Sequence, residues 1–364
     1  MTTGAEFTLN TDVINLESDI DLKDIDSEAL PIVPEFNGVL NGNNHVIKIN
    51  SDHGLFRTIT GEINNLTIEG SITSKPSASS EDGHPLAALA CVSTAKVTNV
   101  TNKANVTLEC AGVIGSPVVA GIVAFQKDGD FKNNTNEGKI TLTHGGTANA
   151  AISGFNRKPF AVIGGLAGVI VNATAEGCVN NGAVKVSCTD VPKISARHYI
   201  GGVIGTPEGA TVKGCTNNGA VTANFTDATK NKAKQVWVGG IIGGRNGDVD
   251  TVDGALVEDC KNYGTCTLVA ENAVNNYLGG IAGQSTIEAS ASFTIQKIAN
   301  SHNYIMMFSN LGKVFVKKAY ELPEASRTAK GTNLINIVEL APEEQITAYV
   351  PLESLTDENL ALTM

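Results

Sequence analysis

The sequence predicts an all-β fold: a right-handed parallel β-helix (β-solenoid) of about seven coils, followed by a short C-terminal β segment. Two motifs recur along the chain at similar spacings, which indicates a structure built from repeated units. Only 5% of the residues are aromatic while 38 are glycine, a composition that suits narrow cores with many turns. The chain has 364 residues, but repeat proteins grow by adding units, so this length does not imply several globular domains.

The first motif is a pair of small residues followed by apolar residues, and it occurs six times. Its second small residue is Ala88, Gly121, Gly165, Gly202, Gly240 and Gly280. The successive spacings are 33, 44, 37, 38 and 40 residues. A degenerate copy at Gly54 lies 34 residues before Ala88. Variable spacing of a constant motif predicts coils of one size that carry loops of different length.

The second motif follows each copy of the first and always has asparagine in its third place. These asparagines are Asn102, Asn136, Asn180, Asn217, Asn262 and Asn303. Consecutive coils of a β-helix lie about 4.8 Å apart, so equivalent side chains stack on one another. An amide side chain both donates and accepts, so it can hydrogen-bond along such a stack. We therefore predict a column of asparagines, and we expect their backbone to turn the tight, left-handed corners that asparagine tolerates.

Within one repeat the pattern of β-branched runs and turn residues predicts three strands, at 199–206, 210–215 and 220–225. Turns fall at 207–209 and 217–219, where Gly, Pro and Asn cluster. Three strands with three corners predict a triangular coil. The variable remainder, such as 226–235, is predicted to leave the coil as a loop.

The seven cysteines include no CxxC pair, which disfavours a zinc ribbon or a thioredoxin-like site. Cys178, Cys215 and Cys260 occupy equivalent places in three repeats. We expect them to form an inward column of small apolar side chains. Disulfides between coils and metal binding are the alternatives.

The N-terminal part carries motifs that lead into the repeats. They are LESDIDL at 16–22, FNGVLNGNNHVI at 36–47, GLF at 54–56 and INNLTIEG at 63–70. This region, about 15–304, resembles the GLUG-type repeats of bacterial surface proteins. The resemblance implies a non-catalytic, adhesin-like protein at the cell surface or secreted, whose solenoid binds a glycan or protein ligand. We divide the chain into lead-in strands at 1–35, the β-helix at 36–304 and a separate segment at 305–364.

That last segment has a different pattern, with FSNLGKVF at 308–315, KAYELPEASRTAKGT at 318–332, NIVEL at 336–340 and ITAYV at 346–350. Over about 55 residues it resembles one blade of the C-terminal, DNA-wrapping domain of the DNA gyrase A protein. The resemblance implies a second function, DNA binding through this segment. Recombination, a join of unrelated sequences and a strand cap for the solenoid would each explain its position after the repeats.

Several departures from the gyrase family weigh against a complete topoisomerase. The glycine- and arginine-rich box that the family uses to wrap DNA is absent, and the preceding residues do not resemble its DNA-breakage domain. Residues 305–364 hold five basic and eight acidic residues, a net charge of −3. Such a surface repels phosphate unless its charges are segregated.

The whole chain has a net charge of −11, which disfavours a phosphate-binding surface. The longest apolar runs, such as 160–171, fall short of the roughly 20 residues that span a bilayer. The first ten residues, MTTGAEFTLN, lack the basic start and apolar core of a secretory signal. The expected location is therefore extracellular if a leader was removed, and cytoplasmic if the gyrase-like segment is functional.

The sequence contains no GxSxG, P-loop or HExxH motif, so we expect neither catalysis nor a cofactor. The six histidines show no ligand spacing and are interpreted as solvated or corner residues. Asp248, Asp250 and Asp253 form a candidate calcium site in a Gly-bounded loop, but their spacing is not that of an EF-hand and a solvated turn is the preferred interpretation. A polysaccharide-active β-helix enzyme that uses this loop is the remaining alternative.

Overall fold

The structure, a computed structural model, forms two compact units, residues 1–294 and 295–364. It describes residues 13–25, 32–76, 83–110, 114–145, 147–148, 161–188, 197–225, 231–244, 255–270, 273–283, 304–311, 313–318, 321, 338, 340–341, 344 and 346–352. The named elements of these residues are all β-strands. Within them, no helix is long and apolar enough to cross a membrane.

The first unit is a parallel β-helix, in which equivalent strands of successive coils pair side by side in parallel. Sheet 1 takes one strand from each of eight coils: Val13–Asn15, Val39–Asn41, Glu62–Asn64, Lys96–Thr98, Asp130–Lys132, Thr174–Glu176, Thr211–Lys213 and Leu256–Glu258. The strands at 13–15 and 20–21 thus already form part of the first coil. The fold class predicted from the repeats is confirmed.

Sheet 2 is the largest and begins with Ile20–Asp21, Val46–Ser51 and Thr67–Ser74. Later coils contribute a short and a longer strand each. The short strands are Thr101–Asn102, Thr135–Asn136, Val179–Asn180, Thr216–Asn217 and Lys261–Asn262. The longer strands are Asn105–Cys110, Ile140–His144, Val184–Cys188, Val221–Phe225 and Cys266–Ala270.

The remaining two sheets complete each coil. Sheet 3 consists of Gly83–Leu86, Ile114–Ala120, Thr147–Ala148, Ala161–Gly164, Arg197–Gly201, Asn231–Gly239 and Ala273–Gly279. Sheet 4 consists of Val33–Phe36, Phe56–Ile59, Ala90–Ser93, Val123–Lys127, Ala167–Val171 and Ile204–Glu208, and parallel bridges extend it to Ile242 and Ala282.

The prediction of three strands per coil was wrong, because a full coil contains five. The predicted strand at 199–206 is two strands, Arg197–Gly201 and Ile204–Glu208, separated by a bend at 202–203. The predicted strand at 210–215 is Thr211–Lys213 alone, and Thr216–Asn217 forms a further strand after it. A run of apolar residues cannot show such a bend, because the chain stays buried on both sides of it.

The main core fills the coil, and side chains of sheet 2 enter it at every second residue. In Ile140–His144 and Val184–Cys188 the inward positions are fully or almost fully buried while the others reach the surface. Parallel registration stacks Ile140 directly on Val184. Burying one such side chain contributes about 1.5–3 kcal/mol, so the vertical columns stabilise the stacking of the coils.

A second apolar cluster lies on the other face of sheet 3, where that face meets sheet 4. It contains Val118, Val162, Tyr199 and Trp237. The ring of Trp237 stacks on those of Tyr199 and Tyr277, with centroid distances of 4.8 and 5.5 Å. Because the strand Ala161–Gly164 of sheet 3 is buried on both faces, it reads as a continuous apolar run in the sequence.

Left-handed corners follow the strands of sheet 1 and those of sheet 4. Positive φ angles occur after the sheet 1 strands at Asn43, Asn44, Asn65, Asn99, Asn133, Gly177, Gly214 and Asp259, and after the sheet 4 strands at Asp128, Gly129, Asn172 and Gly209. The predicted left-handed backbone of the asparagine column was therefore wrong, since the column residues are in strands. Asn, Gly and Asp alternate at the corner because each tolerates this backbone conformation at low cost.

The second unit contains a three-stranded antiparallel sheet with Tyr304–Ser309 at its centre. This strand pairs with Val314–Lys318 on one side and Ile346–Leu352 on the other. The antiparallel arrangement fits the gyrase-like blade predicted for this segment.

Candidate functional site

Five of the six predicted asparagines lie in one vertical column inside the solenoid. The side-chain Nδ2 of Asn102 donates to Oδ1 of Asn136 at 2.8 Å, and the same bond repeats up the column to Asn180, Asn217 and Asn262 at 2.8, 2.7 and 2.8 Å. The first four side chains are completely buried. Asn303 lies outside the described residues. These five residues form the asparagine column: Asn102, Asn136, Asn180, Asn217 and Asn262.

Each amide in the column also closes its own turn. The second hydrogen of Nδ2 in Asn180 goes to the carbonyl oxygen of Gly182 at 2.8 Å, and Asn217 makes the same bond to Gly219 at 2.9 Å. Both amide hydrogens are therefore used, and the turn carbonyls that would be stranded in the interior are satisfied.

The second glycine of the paired-glycine motif leaves space for the asparagine column. A Cβ added to Gly202 would lie 2.5 Å from Cγ of Asn217 and would overlap the carbonyl oxygen of Gly240. At Gly165 the added Cβ would lie 2.6 Å from Cγ of Asn180. The two motifs found in the sequence are thus two sides of one packing unit, a relation that their spacing alone does not reveal.

Cys178, Cys215 and Cys260 lie at equivalent places beside the column, each with its thiol directed at a carbonyl oxygen of the preceding coil. The acceptors are the carbonyl oxygens of Phe131, Ala175 and Val212, at 3.3, 3.6 and 3.5 Å. All seven cysteines of the chain belong to the described residues, and no disulfide joins them. The neighbouring thiols and burial raise the pKa of Cys215 and of Cys260. Because a buried thiol with a raised pKa is a poor nucleophile, these cysteines are suited to packing in the core rather than to catalysis.

The outer face of sheet 2 carries rows of short polar side chains. One row, set by the strand register, runs through Thr73, Thr107, Thr141, Lys185, Thr222 and Thr267. A second runs through Thr67, Thr101, Thr135, Val179, Thr216 and Lys261. Neighbouring members of a row are about 4.8 Å apart. Each row therefore presents hydroxyl groups on three consecutive coils before it is interrupted, the first by Lys185 and the second by Val179.

Charged residues on this face form ion pairs between coils. Lys103 lies 3.3 Å from Glu69, and Lys75 lies 3.0 Å from Glu109. These pairs join residues of neighbouring coils at the surface of the solenoid.

A cavity of about 290 Å³ near the N-terminal coils gathers several titratable side chains, among them Asp52, His53, Arg57, His84 and Cys91. Nε2 of His53 lies 3.8 Å from Oδ1 of Asp52. Burial raises the pKa of Cys91 to about 11, so this thiol is protonated at neutral pH. A nucleophilic cysteine needs the thiolate, and the cavity therefore does not support cysteine catalysis.

The interpretation of the histidines as solvated or corner residues was wrong for two of them. His144 and His198 are 0% and 1% exposed, and both belong to strands that direct alternate residues into the core. Their alternation with Leu142 and Ile200 was the available signal. His302 lies outside the described residues, as do the calcium candidates Asp248, Asp250 and Asp253.

In the second unit, Glu344 is buried and organises the turn after the central strand. Its carboxylate accepts hydrogen bonds from the Ser309 hydroxyl at 2.6 Å, the Ala341 amide at 2.8 Å and the Lys313 ammonium at 2.9 Å. These bonds, that from Ser309 above all, lower the pKa of Glu344 to about 2. Lys318 lies over the ring of Tyr304, 3.4 Å from its centroid.

Comparison with known families gives a match in the second unit. The family described as the DNA gyrase C-terminal domain, a beta-propeller, matches residues 303–348. The DNA gyrase A protein of Clostridium acetobutylicum is 42% identical over 62 residues, which are 17% of this chain and 8% of that protein. The gyrase A protein of Aeromonas salmonicida is 46% identical over 61 residues, 17% of this chain and 7% of that protein. The chain thus spans less than a tenth of the gyrase proteins that it matches.

Among solved structures, a Bacteroides ovatus protein provisionally described as an immunoglobulin A1 protease has a TM-score of 0.48 and 16% identity. The match covers 74% of this chain and 76% of that one. A structure described as IgA1 protease has a TM-score of 0.41 and 15% identity, over 80% of this chain and 20% of that one.

Proposed function

We propose that the β-helix is a non-catalytic binding surface, located outside the cell, that recognises an extended glycan along the outer face of sheet 2. The observation that carries this proposal is the pair of threonine rows on that face. Hydroxyl groups both donate and accept hydrogen bonds, as sugar hydroxyls do. A ligand with a repeating chemical structure can therefore make the same contact on several coils, and linked contacts raise the overall affinity.

The chemistry of the rows favours a glycan over a protein ligand. Thr107, Thr141 and Thr222 are half-buried, so their hydroxyls are held close to the backbone and lose little conformational entropy on binding. Protein interfaces, in contrast, depend on aromatic and arginine anchors at their centre. The two rows offer none.

Replacement of two adjacent threonines tests the proposal. In Thr107→Glu combined with Thr141→Glu, two carboxylates would occupy neighbouring places in one row, since the two residues are register partners. We expect retention on a panel of immobilised polysaccharides to fall at least about tenfold, which corresponds to a loss of about 1.4 kcal/mol.

The control makes the same change on another face. Thr174 and Thr211 are register partners on sheet 1 and are equally half-buried. Thr174→Glu with Thr211→Glu imposes the same charge repulsion on the fold and should leave glycan retention unchanged. Equal loss in both variants, or no polysaccharide retained by the native chain, would contradict the proposal.

A second candidate function, DNA binding by the second unit, is supported by the match to the gyrase C-terminal domain. Lys317 lies in the strand Val314–Lys318 and provides a positive charge there. If it contacts a phosphate, Lys317→Gln should lower the slope of log affinity against log salt concentration by about 1. Fluorescence anisotropy with a labelled duplex measures this slope. Lys185→Gln, on the solenoid, is the charge-matched control.

A further inference from the structure

We propose that His144, Cys188 and His198 form a buried site for one soft metal ion, and that the preferred ion is Cu(I). Their donor atoms all lie within 4.8 Å of one another. The three residues are 0%, 0% and 1% exposed. The site is distinct from the outer face of sheet 2, which the proposed function uses.

The strand register brings these residues together although they are far apart in the sequence. His144 and Cys188 end equivalent strands of sheet 2 on neighbouring coils and are register partners. His198 enters from sheet 3, where it pairs with Ala161 and Val236. The rings of His144 and His198 stack with a centroid distance of 5.4 Å, and the edge of Phe225 closes the pocket against His198 at 4.7 Å.

The distances fit coordination by three ligands. Sγ of Cys188 lies 3.8 Å from Nδ1 of His144. Metal bonds of about 2.3 Å to sulfur and about 2.0–2.1 Å to nitrogen place the two donors about 3.8 Å apart at an angle of 120°, and about 3.6 Å apart at the tetrahedral angle. The observed separation is compatible with either geometry. All three donor atoms lie within 4.8 Å of one another, so small side-chain rotations would bring the third donor to the same ion.

The net charge of the three ligands favours a monovalent ion. Two neutral imidazoles and one thiolate carry a single negative charge, which a monovalent ion cancels. A divalent ion would leave one net positive charge among the apolar side chains of the core, at a cost of several kcal/mol. Thiolate and imidazole together also suit Cu(I), while carboxylate and water suit harder ions. Ligand type and net charge thus point to the same ion.

The experiment uses the full chain, reduced and without oxygen, titrated with Cu(I) against the chromogenic chelator bicinchoninate. We expect one ion per chain, with an X-ray absorption spectrum showing two nitrogens and one sulfur. Cys188→Ser removes the thiolate, and His198→Phe removes a nitrogen while keeping an aromatic ring against Phe225. Each should weaken binding by more than the roughly 10- to 100-fold that loss of an outer-shell partner costs.

The cysteine column provides the control, because Cys178, Cys215 and Cys260 could also attract a soft ion. Cys215→Ser should leave the stoichiometry and the absorption spectrum unchanged. The proposal fails if Cys215→Ser releases the ion and Cys188→Ser does not, if three sulfur ligands are seen, or if no ion binds. Stoichiometric displacement of copper by Zn(II) would overturn the charge argument. Fluorescence of Trp237 verifies that each variant is folded.

Discussion

Removing one amide from the middle of the asparagine column should destabilise the solenoid far more than removing an amide on its surface. In Asn180→Ala, three buried groups lose a partner: the carbonyl oxygen of Gly182, one hydrogen of Nδ2 in Asn136 and Oδ1 of Asn217. Each stranded group costs about 1–3 kcal/mol. Since the two neighbouring amides keep their other bonds, the total should fall at about 3–6 kcal/mol.

Two further variants, one at the end of the column and one on the surface, should lose less stability. Asn262 ends the described column and is half-exposed, and its side chain bonds to Asn217, to Gly264 and, at 3.6 Å, to Sγ of Cys266. Asn262→Ala should cost about 1–2 kcal/mol because water can replace the lost partners. Asn218 is exposed and its side chain donates to its neighbour Asn181 at 2.7 Å, so Asn218→Ala should stay within about 0.5 kcal/mol.

Urea denaturation followed by tryptophan fluorescence measures the series, since Trp237 is the chain's single tryptophan and is 5% exposed. Repeat proteins can unfold in stages, so amide exchange of the strand Val184–Cys188 should be measured as well. The reasoning is refuted if Asn180→Ala costs no more than Asn218→Ala. It is also refuted if the middle and the end of the column cost the same.

Three further predictions concern other parts of the chain. Gly202→Ala should prevent normal folding because its Cβ would overlap the carbonyl oxygen of Gly240, whereas Gly280→Ala, whose added Cβ has no atom of the described residues within 4 Å, should melt like the native chain. Nuclear magnetic resonance should show Glu344 titrating near pH 2. Because that pKa lies below the ordinary value of 4.5, its contribution to stability is complete above pH 4.5 and is lost as the pH falls towards 2, so Glu344→Gln should destabilise the second unit at pH 7 but hardly at pH 2. Thiol reagents should label Cys91 slowly at pH 8, since its pKa is about 11, and should reach all seven thiols in denaturant.

Much of the β-helix could be predicted because stacking repeats the same residue at the same place. The asparagines were recognisable for this reason, and so was the position of the three equivalent cysteines. The corner residues were not, because Asn, Gly and Asp all accept positive φ there and no single letter recurs. Yet a corner residue precedes each member of the asparagine column by three positions. These corner residues are Asn99, Asn133, Gly177, Gly214 and Asp259.

The bend between sheets 3 and 4 was hidden for a different reason. Its position depends on how closely two backbones approach, as at Gly201, where an added Cβ would overlap the carbonyl oxygen of Ile204 across the bend. Glycine in a sequence signals a turn or a close contact without saying which. Contacts between coils whose loops differ in length are equally hidden, and the cluster of His144, Cys188 and His198 is one of these.

The repetition of residues from coil to coil also identifies the interior positions that need a separate explanation, namely those where a polar residue does not repeat. A polar side chain inside the solenoid is satisfied most simply by a copy of itself one coil away, as the asparagine column shows. The neighbouring inward row does not repeat: Cys110, His144, Cys188 and Phe225 follow one another in register. A row of equal apolar residues would pack there without titratable groups in the core. A set of unlike donors that converge on one point is what a single bound ion requires, and the break in repetition is therefore the strongest structural argument for placing a ligand there.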